Sequence, residues 1–102
     1  MSRFLIQVPH PPDTVACVDV VQLFLRSGSH FLTNADWGCK DGDHSAWFIA
    51  EVDNKADALA IVPPALRRGA RVVGLNRFTL QELDEIMSLH DEPLPAQTGE
   101  PR

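Results

Sequence analysis

Cysteine is scarce in this chain: its 102 residues include only two, Cys17 and Cys39. Two sulfurs cannot build the disulfide framework of a small secreted domain, and they read as free thiols in a reducing compartment. Positive charge is also short, with nine Lys and Arg against fourteen Asp and Glu and a net charge of −5. That balance argues against nucleic acid, whose phosphates demand a basic stripe, and against an anionic membrane surface. No apolar run approaches the roughly 20 residues of a spanning helix. The N-terminal residues lack the basic region and long apolar core of a signal peptide. The expectation is a cytoplasmic protein with no nucleic-acid and no membrane partner. No Gly-rich phosphate loop and no Ser-centred nucleophile motif is present. What remains is 44% hydrophobic and 23% charged, an ordinary globular composition at a length suited to one small core.

Arg3 to Val8 reads as a strand from its β-branched and aromatic content, and Pro9-His10-Pro11-Pro12 stops it. Asp13 or Thr14 caps a helix that runs to about Ser27 and that Gly28 ends. Its apolar face carries Cys17, Val20, Val21 and Phe24. Ser29 to Cys39 is expected as a second strand and His44 to Val52 as a third, joined by the turn Lys40-Asp41-Gly42-Asp43. In the third strand Ala46, Phe48 and Ala50 share one face and Trp47 and Ile49 the other, so both faces need cover. Asp53 or Asn54 caps a helix over Lys55 to Val62, which Pro63-Pro64 interrupts before one further turn. Arg71 to Phe78 is a fourth strand. Thr79-Leu80-Gln81-Glu82 is a capping box for a last helix to about His90, with Leu80, Leu83, Ile86 and Met87 on one side. Residues 91–102, rich in proline, are expected as a flexible tail behind a single domain over 1–90.

The order β-α-β-β-α-β plus an extra C-terminal helix is the ferredoxin-like plan, an α+β class with an antiparallel four-stranded sheet. Two helices cover one face of such a sheet. A second copy is the simplest cover for the other, giving a homodimer built as a dimeric α+β barrel.

This topology gathers the reactive residues at one edge. The first strand ends at His10, the first helix begins near Cys17, and the second-to-third hairpin turns between Cys39 and His44. If the turn holds only Lys40 to Asp43, Cys39 and His44 face each other with Cβ atoms roughly 4.5–5.5 Å apart. Cys17 is the deepest of the four, and as a helix-core thiol it also fits plain packing. His30, His90 and the turn carboxylates Asp41 and Asp43 are assigned no role in the chemistry.

Two chemistries fit. Cys39, His44, His10 and Cys17 make a soft donor set suited to zinc, copper or nickel. Their spacing, Cys-x4-His and His-x6-Cys, matches no common zinc finger. Alternatively, Cys39 and His44 form a thiolate–imidazolium couple in a cofactor-independent enzyme of isomerase, cyclase or monooxygenase type. Its substrate is a small apolar or aromatic molecule in a pocket lined by Phe4, Ile6, Val8, Phe24, Phe48 and Trp37. Cys39 is then nucleophile or acid, and His44 or His10 the base.

With Pro9-His10, Cys17, Trp37-Gly38-Cys39-x-x-Gly42-x-His44, Val62-Pro63-Pro64, Ala70-Arg71-Val72-Val73 and Asn76-Arg77-Phe78-Thr79 in view, the chain resembles a family of small, functionally uncharacterised bacterial proteins. The resemblance covers roughly residues 4–83. It implies a ferredoxin-like fold and a dimeric α+β barrel, not a reaction. The wider superfamily it implies includes cofactor-free monooxygenases, isomerases, cyclases, haem-degrading enzymes and small metal-binding proteins.

Overall fold

Strict alternation dominates the first element. Phe4, Ile6 and Val8 are buried while Arg3, Leu5 and Gln7 between them are half-buried, as a strand with one covered face requires. In the computed structural model, which describes residues 1–90, this is β1 (Ser2–Pro9). Asp13 then accepts a hydrogen bond from the Ala16 N–H at 2.8 Å and starts α1 (Thr14–Arg26), which buries Val20 and Phe24 against the sheet.

The expected second strand over Ser29 to Cys39 is not formed. Its first part is a helical turn, α2 (His30–Thr33), and only β2 (Asp36–Trp37) is extended. Local side-chain bonds decide this. The Ser29 hydroxyl caps Leu32 N–H, Thr33 Oγ1 donates to Ser29 O at 2.9 Å, and Asn34 Nδ2 donates to His30 O at 2.7 Å. Such bonds offer the backbone an alternative to the ladder, and the turn places Leu32 in the core.

A 3₁₀ turn at Cys39–Asp41 leads to β3 (Ser45–Val52). Next come α3 (Lys55–Ile61), capped by Asn54, and a 3₁₀ segment over Pro64–Gly69. Arg67 donates to Val62 O at 2.8 Å and to Ala60 O at 2.9 Å, satisfying carbonyls that Pro63-Pro64 leaves without helical partners. The fourth strand, β4 (Arg71–Leu75), is shorter than the expected Arg71 to Phe78. Its neighbour ends it: Leu75 already pairs with Arg3, and β1 starts one residue earlier. Thr79 caps the last helix as expected, its Oγ1 accepting from Glu82 N–H at 3.1 Å at the start of α4 (Leu80–His90), but Glu82 Oε1 accepts from the Thr79 hydroxyl at 3.2 Å and not from its backbone N–H as a full capping box would. The expected tail, 91–102, lies outside the described residues.

The sheet order is β2-β3-β1-β4 with every neighbouring pair antiparallel, an α+β arrangement compatible with the ferredoxin-like plan. Phe4, Ile6, Val8, Ala46, Phe48 and Ala50 form the covered face and meet Val20, Phe24, Leu32, Ala58 and Val62. Leu5, Trp47, Ile49 and Val73 fall on the opposite face by register. No element of the described chain covers Ile49 (48% exposed) or Val73. Leu80, Leu83 and Ile86 of α4 are exposed as well. No helix among the described residues is long and apolar enough to cross a membrane.

Candidate metal centre

Strand parity explains why the candidate donors share a space. Phe4, Ile6 and Val8 point toward the helices, and two residues further along lies His10. Ala46, Phe48 and Ala50 point the same way, and two residues before them lies His44. The β1–β3 ladder ends at the pair Pro9–Ser45, and one more bond, His10 N–H to His44 O at 3.0 Å, carries it on to the two histidines. Trp37 pairs with Ala46, and the 3₁₀ turn that follows brings Cys39 Sγ to 3.1 Å from His10 Nε2. Period-2 geometry therefore aims the two histidines, and the 3₁₀ turn aims Cys39, beneath the start of α1, where Cys17 waits one turn into the helix.

His10, Cys39 and His44 each offer one ligand atom, and these atoms lie within 4.8 Å of one another. The group could hold a metal ion. His10 is buried and the other two are half-buried. His10 Nε2 lies 3.1 Å from Cys39 Sγ, while its Nδ1 lies 2.9 Å from the carbonyl oxygen of Pro11. A carbonyl only accepts, so Nδ1 carries the proton and Nε2 presents its lone pair to the cluster. Metal-binding histidines are commonly fixed by such an N–H···O=C bond. Trp37 backs this ring at a centroid distance of 6.0 Å and is itself held edge-on by Phe24 at 5.0 Å. The His44 ring stands edge-on to His10 at 5.7 Å. Its Nδ1 is buried and has no hydrogen-bond partner among the described residues. An unsatisfied buried nitrogen costs about 1–3 kcal/mol, a cost that a coordinated ion would remove.

Cys17 also reaches the turn. Its Sγ donates toward Cys39 Sγ across 3.4 Å, so its place on the helix does not hold it too deep. Both cysteines are free thiols. The Cys39 thiol is pushed above its ordinary pKa, first by desolvation, then by Cys17 beside it, with Asp43 adding a smaller effect of the same sign. At neutral pH it is a protonated thiol. A metal ion reverses this, since coordination deprotonates a thiol outright.

The turn is fitted around Gly38. A Cβ there would stand 2.6 Å from Asp43 O and 2.7 Å from the Trp47 ring. Gly38 O also accepts from Asp41 N–H and Asp43 N–H, and Gly42 closes the turn at a φ of 84°, in the left-handed region. Gly38→Ala is therefore expected to destabilise the protein by about 1–3 kcal/mol through overpacking. Urea unfolding checks this, and a change below ~0.5 kcal/mol would show that both the Asp43 carbonyl and the Trp47 ring move aside freely.

Three features of the enzyme alternative stand differently in the structure. Of the two bases the sequence offers, His44 and His10, it is His10 whose imidazole is hydrogen-bonded to Cys39, and Cys39 lies in a 3₁₀ turn, not in a ladder opposite His44. The raised thiol pKa is opposite to that of an activated nucleophile and leaves Cys39 only the acid role. Phe4, Ile6, Val8, Phe24 and Phe48, expected to line a pocket, are at most 6% exposed and fill the space between sheet and helices as core. Sequence reasoning missed the Pro11 carbonyl that sets the His10 tautomer and the contact of Trp37 with that ring. A backbone carbonyl leaves no mark in residue type. Comparisons of this chain with protein-family models, with curated proteins and with solved structures gave no match.

Proposed function

We propose that this chain binds a single soft or borderline transition metal ion, zinc in the first instance, with copper or nickel as competitors. His10 Nε2, Cys39 Sγ and His44 Nδ1 are the ligands, with Cys17 Sγ as the fourth. The observation that carries this reading is the cluster itself, one ligand atom each from His10, Cys39 and His44 within 4.8 Å of one another, in which His44 also has a buried Nδ1 with no hydrogen-bond partner among the described residues. Two sulfurs bound at about 2.3 Å to a tetrahedral ion stand roughly 3.8 Å apart. The 3.4 Å between Cys17 and Cys39 is close to that spacing. Untagged protein reconstituted with zinc and desalted is expected to retain near one equivalent by elemental analysis. Protein that retains none after reconstitution contradicts the reading.

The protein works as a homodimer in this proposal, a ferredoxin-like chain pairing sheet to sheet as a dimeric α+β barrel. The uncovered row of Ile49, Leu5 and Val73 supports it, with Trp47 beside it. Pairing of standard size buries roughly 1,600 Å² in total. Light scattering at micromolar concentration is expected to give twice the 11.3 kDa chain mass. Leu5→Arg, at the centre of that row, is expected to give a folded monomer. A wild-type monomer at that concentration overturns the dimer. The Trp37-Gly38-Cys39-x-x-Gly42-x-His44 turn would then be a metal-holding signature of the bacterial family that the sequence resembles. The two free thiols agree with a reducing cytoplasm.

A further inference from the structure

We propose that Cys17 and Cys39 form a reversible disulfide under peroxide, and that this oxidation switches off metal binding. The second half rests on the metal-binding reading; the first does not. The sulfurs are 3.4 Å apart, so closing to a bond of about 2.05 Å requires an approach of roughly 1.4 Å. The two residues sit on separate elements, the first turns of α1 and the 3₁₀ turn after β2. Side-chain rotation and a small movement of the exposed turn residues Lys40 to Asp43 supply that approach. Both thiols are half-buried, which leaves access for a molecule as small as hydrogen peroxide.

The chemistry balances with hydrogen peroxide as the two-electron oxidant. Cys39 Sγ is not an activated thiolate, so the attack is slow: its proton passes to His10 Nε2, 3.1 Å away, as Sγ bonds to one peroxide oxygen. The S–O bond forms, the O–O bond breaks, and the departing hydroxide takes the proton from His10 and leaves as water. Cys39 is now a sulfenic acid. Cys17 Sγ then attacks Cys39 Sγ, the S–S bond forms and the S–O bond breaks. The Cys17 proton leaves with the hydroxyl as a second water. Two thiols and one peroxide become one disulfide and two waters. The disulfide has no thiolate to offer, so the donor set falls to two imidazoles. A bound ion works in the other direction, holding both sulfurs as ligands and slowing the attack on peroxide.

The test uses the full untagged chain in reduced metal-free, reduced zinc-loaded and peroxide-treated forms. Peroxide followed by denaturing alkylation is expected to yield an unalkylated monomer lighter by about two mass units, the two hydrogens lost. Reduction is expected to restore two alkylated thiols and zinc uptake. Zinc-loaded protein is expected to oxidise at least tenfold more slowly. Cys17→Ser is expected to stop at a Cys39 sulfenic acid that a cyclic dione traps. Cys17→Ala serves the same purpose if the serine variant misfolds. Two alkylatable thiols after peroxide, or disulfide only between chains, overturns the disulfide. An internal disulfide that leaves zinc uptake unchanged overturns the switch. An internal disulfide in a chain that never takes up zinc keeps the modification and removes the metal-binding reading with its control.

Discussion

Cys39→Ser is expected to weaken zinc binding by about 10²–10³-fold. Four-ligand zinc sites in small domains are worth on the order of 10–16 kcal/mol at neutral pH. One ligand in four therefore carries roughly 2.5–4 kcal/mol, or two to three powers of ten in Kd. The same substitution should change how binding depends on pH. The Cys39 thiol is held above its ordinary pKa by burial and by Cys17, so at neutral pH zinc must displace its proton. Apparent affinity should then rise with pH, by about tenfold per unit for each proton displaced. The rise ends only above the raised pKa. Serine removes that proton from the balance, and the slope should flatten. Competition titrations against a chelator at several pH values check both effects. An unchanged Kd with an unchanged slope would mean that Cys39 is not a ligand.

Phe24→Ala carries the largest expected effect on stability. Phe24 is fully buried and its ring supports Trp37, which in turn backs His10. Removing a buried phenylalanine costs about 3–5 kcal/mol, from lost transfer energy and from the cavity left behind. Domains of this size have only ~5–15 kcal/mol in total, so the variant should sit near its unfolding threshold at 37 °C. Its zinc affinity should also fall, by roughly 10–100-fold, as for other groups that orient a ligand. Urea unfolding of metal-free and zinc-loaded protein separates the two. A stability loss under ~1 kcal/mol would mean that the core collapses into the gap.

The elements that carry the site were largely legible in the sequence. The alternation of Phe4, Ile6 and Val8 extends through Pro9 to His10, and that of Ala46, Phe48 and Ala50 extends back to His44. Reading both strands to their ends aims the two imidazoles at the same face. Asp13 or Thr14, Asp53 or Asn54, and Thr79 marked helix starts because each is a short oxygen acceptor ahead of an amphipathic run, and the caps are Asp13, Asn54 and Thr79. The second strand was misread because Phe31 and Thr33 are residue types that strands favour. Side-chain bonds from Ser29, Thr33 and Asn34 override that preference with a helical turn. The partner of Cys39 was misread for a related reason. The spacing Cys-x4-His suggests a ladder pair, whereas a 3₁₀ turn takes Cys39 off the strand and toward His10. The Pro11 carbonyl and the His44 orphan nitrogen are properties of geometry, visible only once the chain is folded.

The central claim is that imidazole and thiolate from this turn meet on one metal ion. X-ray absorption at the zinc edge, on untagged protein loaded with one equivalent, tests it most directly. The donor set predicts sulfur scatterers at about 2.3 Å together with two imidazole nitrogens at about 2.0–2.1 Å. Cys39→Ser should lower the sulfur contribution and His44→Ala the imidazole contribution. A first shell of oxygen and nitrogen alone, unchanged in either variant, would contradict the account.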